Sequence, residues 1–361
     1  MSAHEIIIWI MAVFAAAGAL DRIFGNKAGL GKEFEEGILA MGSLAMAMIG
    51  IITLAPVLAT VLNPVIVPVY RFLGADPAMF AGTILACDMG GGSLAQEMTA
   101  DADAALLGGV LTGSMLGATI VFTIPVAMGV LSEADRPAMA KGILCGIVTI
   151  PIGVLAGGLV AGFPVMMVLR NLIPIVLIAA LIALGLWKAE KWMIKGFGIF
   201  GKLIIAIITA GLAAAIVKSL TGFEIIPGMA PIEDGFLTVG AIAIVLAGAF
   251  PLVFALTKVL KKPLLKLGHL LGINDTAAAG LIASLANSIA TFGLVKDMDN
   301  RGKVVNIAFA VSAAFVFGDH LGFTAGFAPE MLPAVIAGKL AGGVSAIAVA
   351  LWLTRKDKPE Q

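Results

Sequence analysis

Residues 35–62 read EEGILAMGSLAMAMIGIITLAPVLATVL, and after Glu36 no charged side chain follows until Arg71. A bilayer's hydrocarbon core takes about 20 consecutive apolar residues of helix, so this stretch alone is long enough to cross one. It lacks the polar face of a helix lying against water. The same pattern returns as EDGFLTVGAIAIVLAGAFPLVFALTKVL at 233–260, an offset of 233 − 35 = 198 residues, with Gly37, Gly42 and Gly50 matched by Gly235, Gly240 and Gly248. The register persists through the loops: Leu73-Gly74 falls on Leu271-Gly272, Ala81-Gly82 on Ala279-Gly280, and the AAA at 15–17 on that at 213–215.

Composition agrees with a lipid solvent. Of 361 residues 60% are hydrophobic and 13% charged, against about 25% charged in a typical soluble domain. Net charge is zero, so nothing points to nucleic acid. Apolar segments recur at about 5–24, 37–62, 78–98, 105–131, 138–162, 164–188, 199–220, 236–257, 276–296, 303–327 and 331–354. The fold class is therefore an all-α polytopic integral membrane protein with about 10–12 transmembrane helices. The repeat predicts two homologous five-helix halves, a common plan for carriers whose sites use discontinuous helices. The first repeat covers 1–163, a connecting helix and linker 164–198, the second repeat 199–354 and a polar tail 355–361.

The N-terminal MSAHEIIIWIMAVFAAAGALDRIF has no basic leader and no small-residue cleavage site, and reads as a retained span. Basic residues fall on both predicted sides, so orientation and the parity of the repeats stay open. Cys87 and Cys145 lie in apolar runs without a CxxC or a histidine at ligand spacing. GNKAGLGK at 25–32 fails as a phosphate-binding loop, since Glu33 stands where Ser or Thr is required. No catalytic residue, metal site or cofactor is expected.

Three places break the apolar pattern. LACDMGGGSLAQEM at 85–98 puts Asp88 before Gly90, Gly91 and Gly92 inside a span. A carboxylate there costs at least about 2.5–3.5 kcal/mol unless it is paired, protonated or wet. The glycines cost about 1 kcal/mol each in a helix, which predicts a broken helix beside a cavity; the alternative is a carboxylate that caps a helix or pairs with a buried cation, with glycines for close packing. Glu97 ends this segment near Asp101 and Asp103, as an interfacial residue or an entrance that attracts cations. In the second half, ASLANSIATF at 283–292 offers Ser284, Asn287 and Ser288, either lining a site or bonding helix to helix. AFVFGDHLGF at 314–323 places Asp319 and His320 between apolar runs, where a cation or proton path would use them.

Several stretches resemble one family: FEEGILAMGSLAMAMIG at 34–50, LAPVL at 54–58, MFAGTILACDMGG at 79–91, GIVTIPIGVLAGGLVA at 146–161, RGKVVNIAFAVSAAFVFGDHLGF at 301–323 and GKLAGGVSAIAVA at 338–350. They are similar to the EutH-type ethanolamine permeases of bacterial ethanolamine utilisation, over nearly the whole chain. Asp88, Gly90, Gly91, Asp319 and His320 match that pattern, whereas Gly92-Ser93 and ANSIA at 286–290 depart from it. The resemblance implies ethanolamine uptake across the bacterial cytoplasmic (inner) membrane by a multi-pass protein that is not an enzyme. Its partners would be ethanolamine and the lipid bilayer, and a homo-oligomer is compatible with it.

Ethanolamine carries an amine with a lysine-like pKa near 10, so at neutral pH it is a cation that crosses lipid poorly. Asp88 and Asp319 are the expected ammonium contacts, with His320 as a proton-responsive neighbour. Asn287, Ser284, Ser288 or backbone groups at the glycines would take the hydroxyl. The rival reading is a Na⁺- or H⁺-coupled symporter for another small polar metabolite.

Overall fold

A computed structural model describes residues 1–355; beyond Arg355 the expected polar tail lies outside the described residues. Among these there is helix and no strand. Side-chain caps set several helix starts. Ser2 and Glu5 form a reciprocal capping box at α1 (Ala3–Ile23). Asp101 accepts from Ala104 N–H at α5 (Ala102–Val130), and Asp299 accepts from Gly302 N–H at α12 (Asn300–Ala313).

Seven helical stretches among the described residues are long and apolar enough to cross a membrane. They are α1; α2 (Leu30–Phe72); α5; Glu133–Val160, which holds α6 (Arg136–Ile147) and α7 (Ile150–Val160); α8 (Val165–Thr221); the apolar part of α9 (Ile232–Leu271); and a last stretch that contains α14 (Leu332–Leu353). At 57 residues, α8 would run about 86 Å if straight, far beyond a hydrocarbon core of about 30 Å. It is not straight. Ala189 leaves helical geometry (φ −142°, ψ 42°), and Met193 comes back against Gly185. The two arms, 165–188 and 190–221, meet at a turn carrying Trp187, Lys188, Lys191, Trp192 and Lys195. Indole rings and lysines are the side chains that settle at a membrane surface. The polar stretch expected as linker up to 198 is thus helical except at this turn.

The remaining apolar segments are helices interrupted in mid-course. α3 (Ala78–Ile84) and α4 (Gly91–Met98) are split by residues 85–90, α10 (Asp275–Ala286) and α11 (Ser288–Leu294) by Asn287, and α12 and α13 (Asp319–Phe327) by residues 314–318. Discontinuous helices are therefore present.

α2 packs lengthwise on α9, and α14 on α7 and α12. α5 is the most enclosed of these long helices, almost wholly buried, whereas α1 is largely exposed. Close approach dictates residue size: a Cβ on Gly82 of α3 would run into Gly108 O of α5. Buried hydroxyls tie the first half of the chain to the second. Thr119 donates to Val311 O at 3.0 Å and Thr149 to Gly342 O at 3.1 Å. Trp9, Leu181, Leu203, Ile244 and Val344 are exposed on the outer surface. Such a surface would aggregate in water, and in lipid it carries no penalty.

Candidate functional site

The break between α3 and α4 creates the first half of the site. Leu85 and Ala86 are extended, Cys87–Met89 make one tight turn, and Gly90 takes φ +88° before α4 starts at Gly91. A side chain at Gly90 would be strained by that φ and would also collide with Ile51 of α2. Asp88 is carried on this turn with its side chain 16% exposed.

The second half comes from the break between α12 and α13. Phe315 adopts φ +62°, rare for a bulky residue. Its N–H donates to Ser284 O at 3.1 Å, and that of Phe317 to Leu285 O at 2.9 Å. Carbonyls at the end of α10 thus satisfy the unwound backbone, as non-helical chain at membrane depth requires. Asp319 and His320 follow in the first turn of α13.

Asp88, Asp319 and His320 line one cavity of about 510 Å³. Its other walls come from Ser43 and Leu44 of α2, Phe122 of α5, Thr209 on the second arm of α8, and Phe315. The Phe315 ring lies 5.1 Å from the imidazole of His320 and 5.4 Å from Phe122, centroid to centroid. The hydroxyl of Ser43 donates to Ala40 O and that of Thr209 to Ile205 O. With their protons committed to their own helices, both present acceptor lone pairs to the cavity.

Behind the cavity lies Lys339 of α14, 1% exposed. Its Nζ donates to Ser114 O at 2.5 Å and meets His320 Nδ1 at 3.0 Å. With Lys339 as the donor, Nδ1 accepts and the imidazole proton sits on Nε2. That nitrogen faces Asp88 Oδ1 at 3.7 Å, beyond hydrogen-bond reach. Lys339 was not among the residues expected from sequence. The signal was present: it is the one charged residue between Glu330 and Arg355, and an ionisable group within a span is a site candidate by default.

Ligand atoms of Cys87, Asp88 and His320 lie within 4.8 Å of one another, a spacing a metal ion could use. The surroundings do not suit one. A metal-bound histidine ordinarily donates its other N–H to a carboxylate, a carbonyl or water, and here the other ring nitrogen faces Lys339 Nζ.

The remaining candidates lie apart from the cavity lining. Gly90 and Gly91 shape the turn, with Gly91 N–H donating to Ala86 O at 3.0 Å. Glu97 is exposed near the end of α4. Asn287 Oδ1 accepts from Ile289 N–H as the cap of α11, and Ser284 bonds Thr291 across the same break at 2.8 Å. Ser288 is fully buried, and its hydroxyl has no partner among the described residues.

The family model described as ethanolamine utilisation protein, EutH, matches residues 3–353. The chain belongs to the EutH family. It is 60% identical over 356 residues, 99% of this chain and 95% of the relative, to a Listeria monocytogenes protein named probable ethanolamine permease EutH. EutH relatives bearing the same name in Salmonella typhimurium and Escherichia coli are each 50% identical, covering 100% and 99% of this chain and 98% and 97% of their own. No solved structure matches at a significant level. With this EutH membership and its apolar helices, the protein is a multi-pass membrane protein.

Proposed function

We propose that the protein is a carrier, not an enzyme, that takes up ethanolamine as its protonated cation across the bacterial cytoplasmic membrane. The observation that carries this reading is the cavity whose floor bears two carboxylates, Asp88 and Asp319, and whose walls carry hydroxyl acceptors. An ammonium has three donors and seeks anionic acceptors. The alcohol donates one hydrogen bond, for which Ser43 and Thr209 offer lone pairs. A cavity of about 510 Å³ holds so small a solute together with water. The relatives' names as ethanolamine permeases support the same substrate.

The carrier is built from two halves offset by 198 residues, and helix positions support this. The interrupted segment 78–98 displaced by 198 covers 276–296, where α10 and α11 lie. α5, Ala102–Val130, displaced equally covers 300–328, where α12 and α13 lie. On this plan the acid of the first half has no acidic twin: Asp88 falls on Ala286, beside Asn287.

The test is exchange in proteoliposomes holding the purified chain. Preloaded ethanolamine should drive uptake of labelled ethanolamine, and choline, amino acids and nucleosides should not compete. Equal competition by any of those classes, or a strict requirement for a Na⁺ gradient, would favour a symporter for another metabolite.

A further inference from the structure

The cavity that faces an incoming cation already has a resident one behind it. Lys339 lies behind the imidazole, locked by Ser114 O and His320 Nδ1. The ionisable groups gathered here are Asp88 and Cys87 on the turn before α4, Asp319 and His320 on α13, and Lys339 on α14. The buried pair of Asp135 and Lys303, joined at 2.6 Å, balances itself. With the imidazole neutral, the thiol protonated and Lys339 charged, the cluster counts −1 −1 +1 = −1 when both carboxylates are ionised. One monovalent ammonium brings it to zero, and a diammonium would leave it at +1 in a site of low dielectric, where an unpaired charge is costly.

We propose that Lys339 sets the valence of the substrate: its buried ammonium makes the two-carboxylate cavity selective for a monocation and rejects diammonium compounds of similar size. This rests on the ammonium-binding reading above and adds to it a residue that acts through charge without lining the cavity. Lys339 is a specificity-determining residue, and the hydrogen bond to Nδ1 is what holds its charge in register with Asp88. Rejection of a misfit by an uncompensated charge is a general way to gain selectivity.

The experiment measures competition against labelled ethanolamine in proteoliposomes at neutral pH, comparing unlabelled ethanolamine with 1,3-diaminopropane, whose amines are both protonated there. Wild type should prefer ethanolamine by about tenfold or more. Lys339→Met and Lys339→Gln, with the cluster at −2, should shift the ratio toward the diamine by about tenfold or more, and Lys339→Arg should keep the wild-type preference. Equal competition by the diamine in wild type overturns the proposal without recourse to any variant. So do folded Met and Gln variants that lose ethanolamine without gaining the diamine, while the ethanolamine reading stands. If wild type exchanges no ethanolamine, that reading fails and takes this one with it. If the neutral variants do not fold, equal competition by the diamine in wild type still overturns the proposal.

Discussion

Lys339 Nζ meets His320 Nδ1 at 3.0 Å, joining the last helix to the interrupted segment that carries Asp319. With Nδ1 engaged there, Nε2 is turned toward Asp88, 3.7 Å from its Oδ1. Three residues from three separate parts of the chain thereby become one electrostatic unit.

Asp88→Asn and Asp319→Asn should each lower ethanolamine uptake at equal membrane abundance by about tenfold or more, since a hydrogen bond to a charged group contributes about 1.5–3 kcal/mol. The check is initial uptake at mildly acidic pH in cells lacking their own carrier. Wild-type transport by both variants would refute the cation assignment.

Asp135 and Lys303 form a 2.6 Å ion pair with side chains 5% and 16% exposed. Removing one partner strands the other, at a cost of about 3–5 kcal/mol for a buried pair. Asp135→Asn or Lys303→Met should lower the Tm of the detergent-solubilised protein, and the double variant should recover part of the loss. A double variant that loses as much as the sum of the singles would contradict the pairing.

Gly90→Ala meets two obstacles, the φ of +88° and the Ile51 side chain. The left-handed conformation costs an alanine about 1–2 kcal/mol. The steric part should be relieved by adding Ile51→Ala, so the double variant should be more stable than Gly90→Ala alone. Unchanged Tm and uptake in Gly90→Ala would mean the turn before α4 is not built as described.

Asn287 caps α11 and lies outside the cavity lining. Asn287→Ala should cost about 0.5–2 kcal/mol of stability, as loss of a cap does. Asn287→Ser, a neutral cap, should restore it, and neither should move the KM for ethanolamine. A large KM change in the folded alanine variant would return Asn287 to the binding site.

Part of this site is legible in one dimension. Asp88, Asp319 and His320 stand out because ionisable groups are expensive within an apolar run, and the glycines after Asp88 mark a break that the backbone makes. The break before Asp319 was harder to anticipate: the left-handed residue there is Phe315, whose type carries no turn signal, and carbonyls of α10 hold it. Lys339 was visible as a lone charge within the last apolar stretch, but nothing in the linear pattern says that it meets His320. Ser43 and Thr209 give no signal at all, because hydroxyls bonded to their own helix occur wherever serine and threonine do.

By itself the sequence determined the solvent, the helical class, the break after Asp88 and which ionisable residues are expensive within an apolar run. Each of these follows from local free energies of transfer and backbone conformation, which a linear pattern records. Only the tertiary structure decided that Asp88, Asp319 and His320 share a cavity, that Lys339 lies behind it, and that Asn287 serves as a cap. Those facts depend on which helix faces meet, and that is set by close packing between segments far apart in the chain.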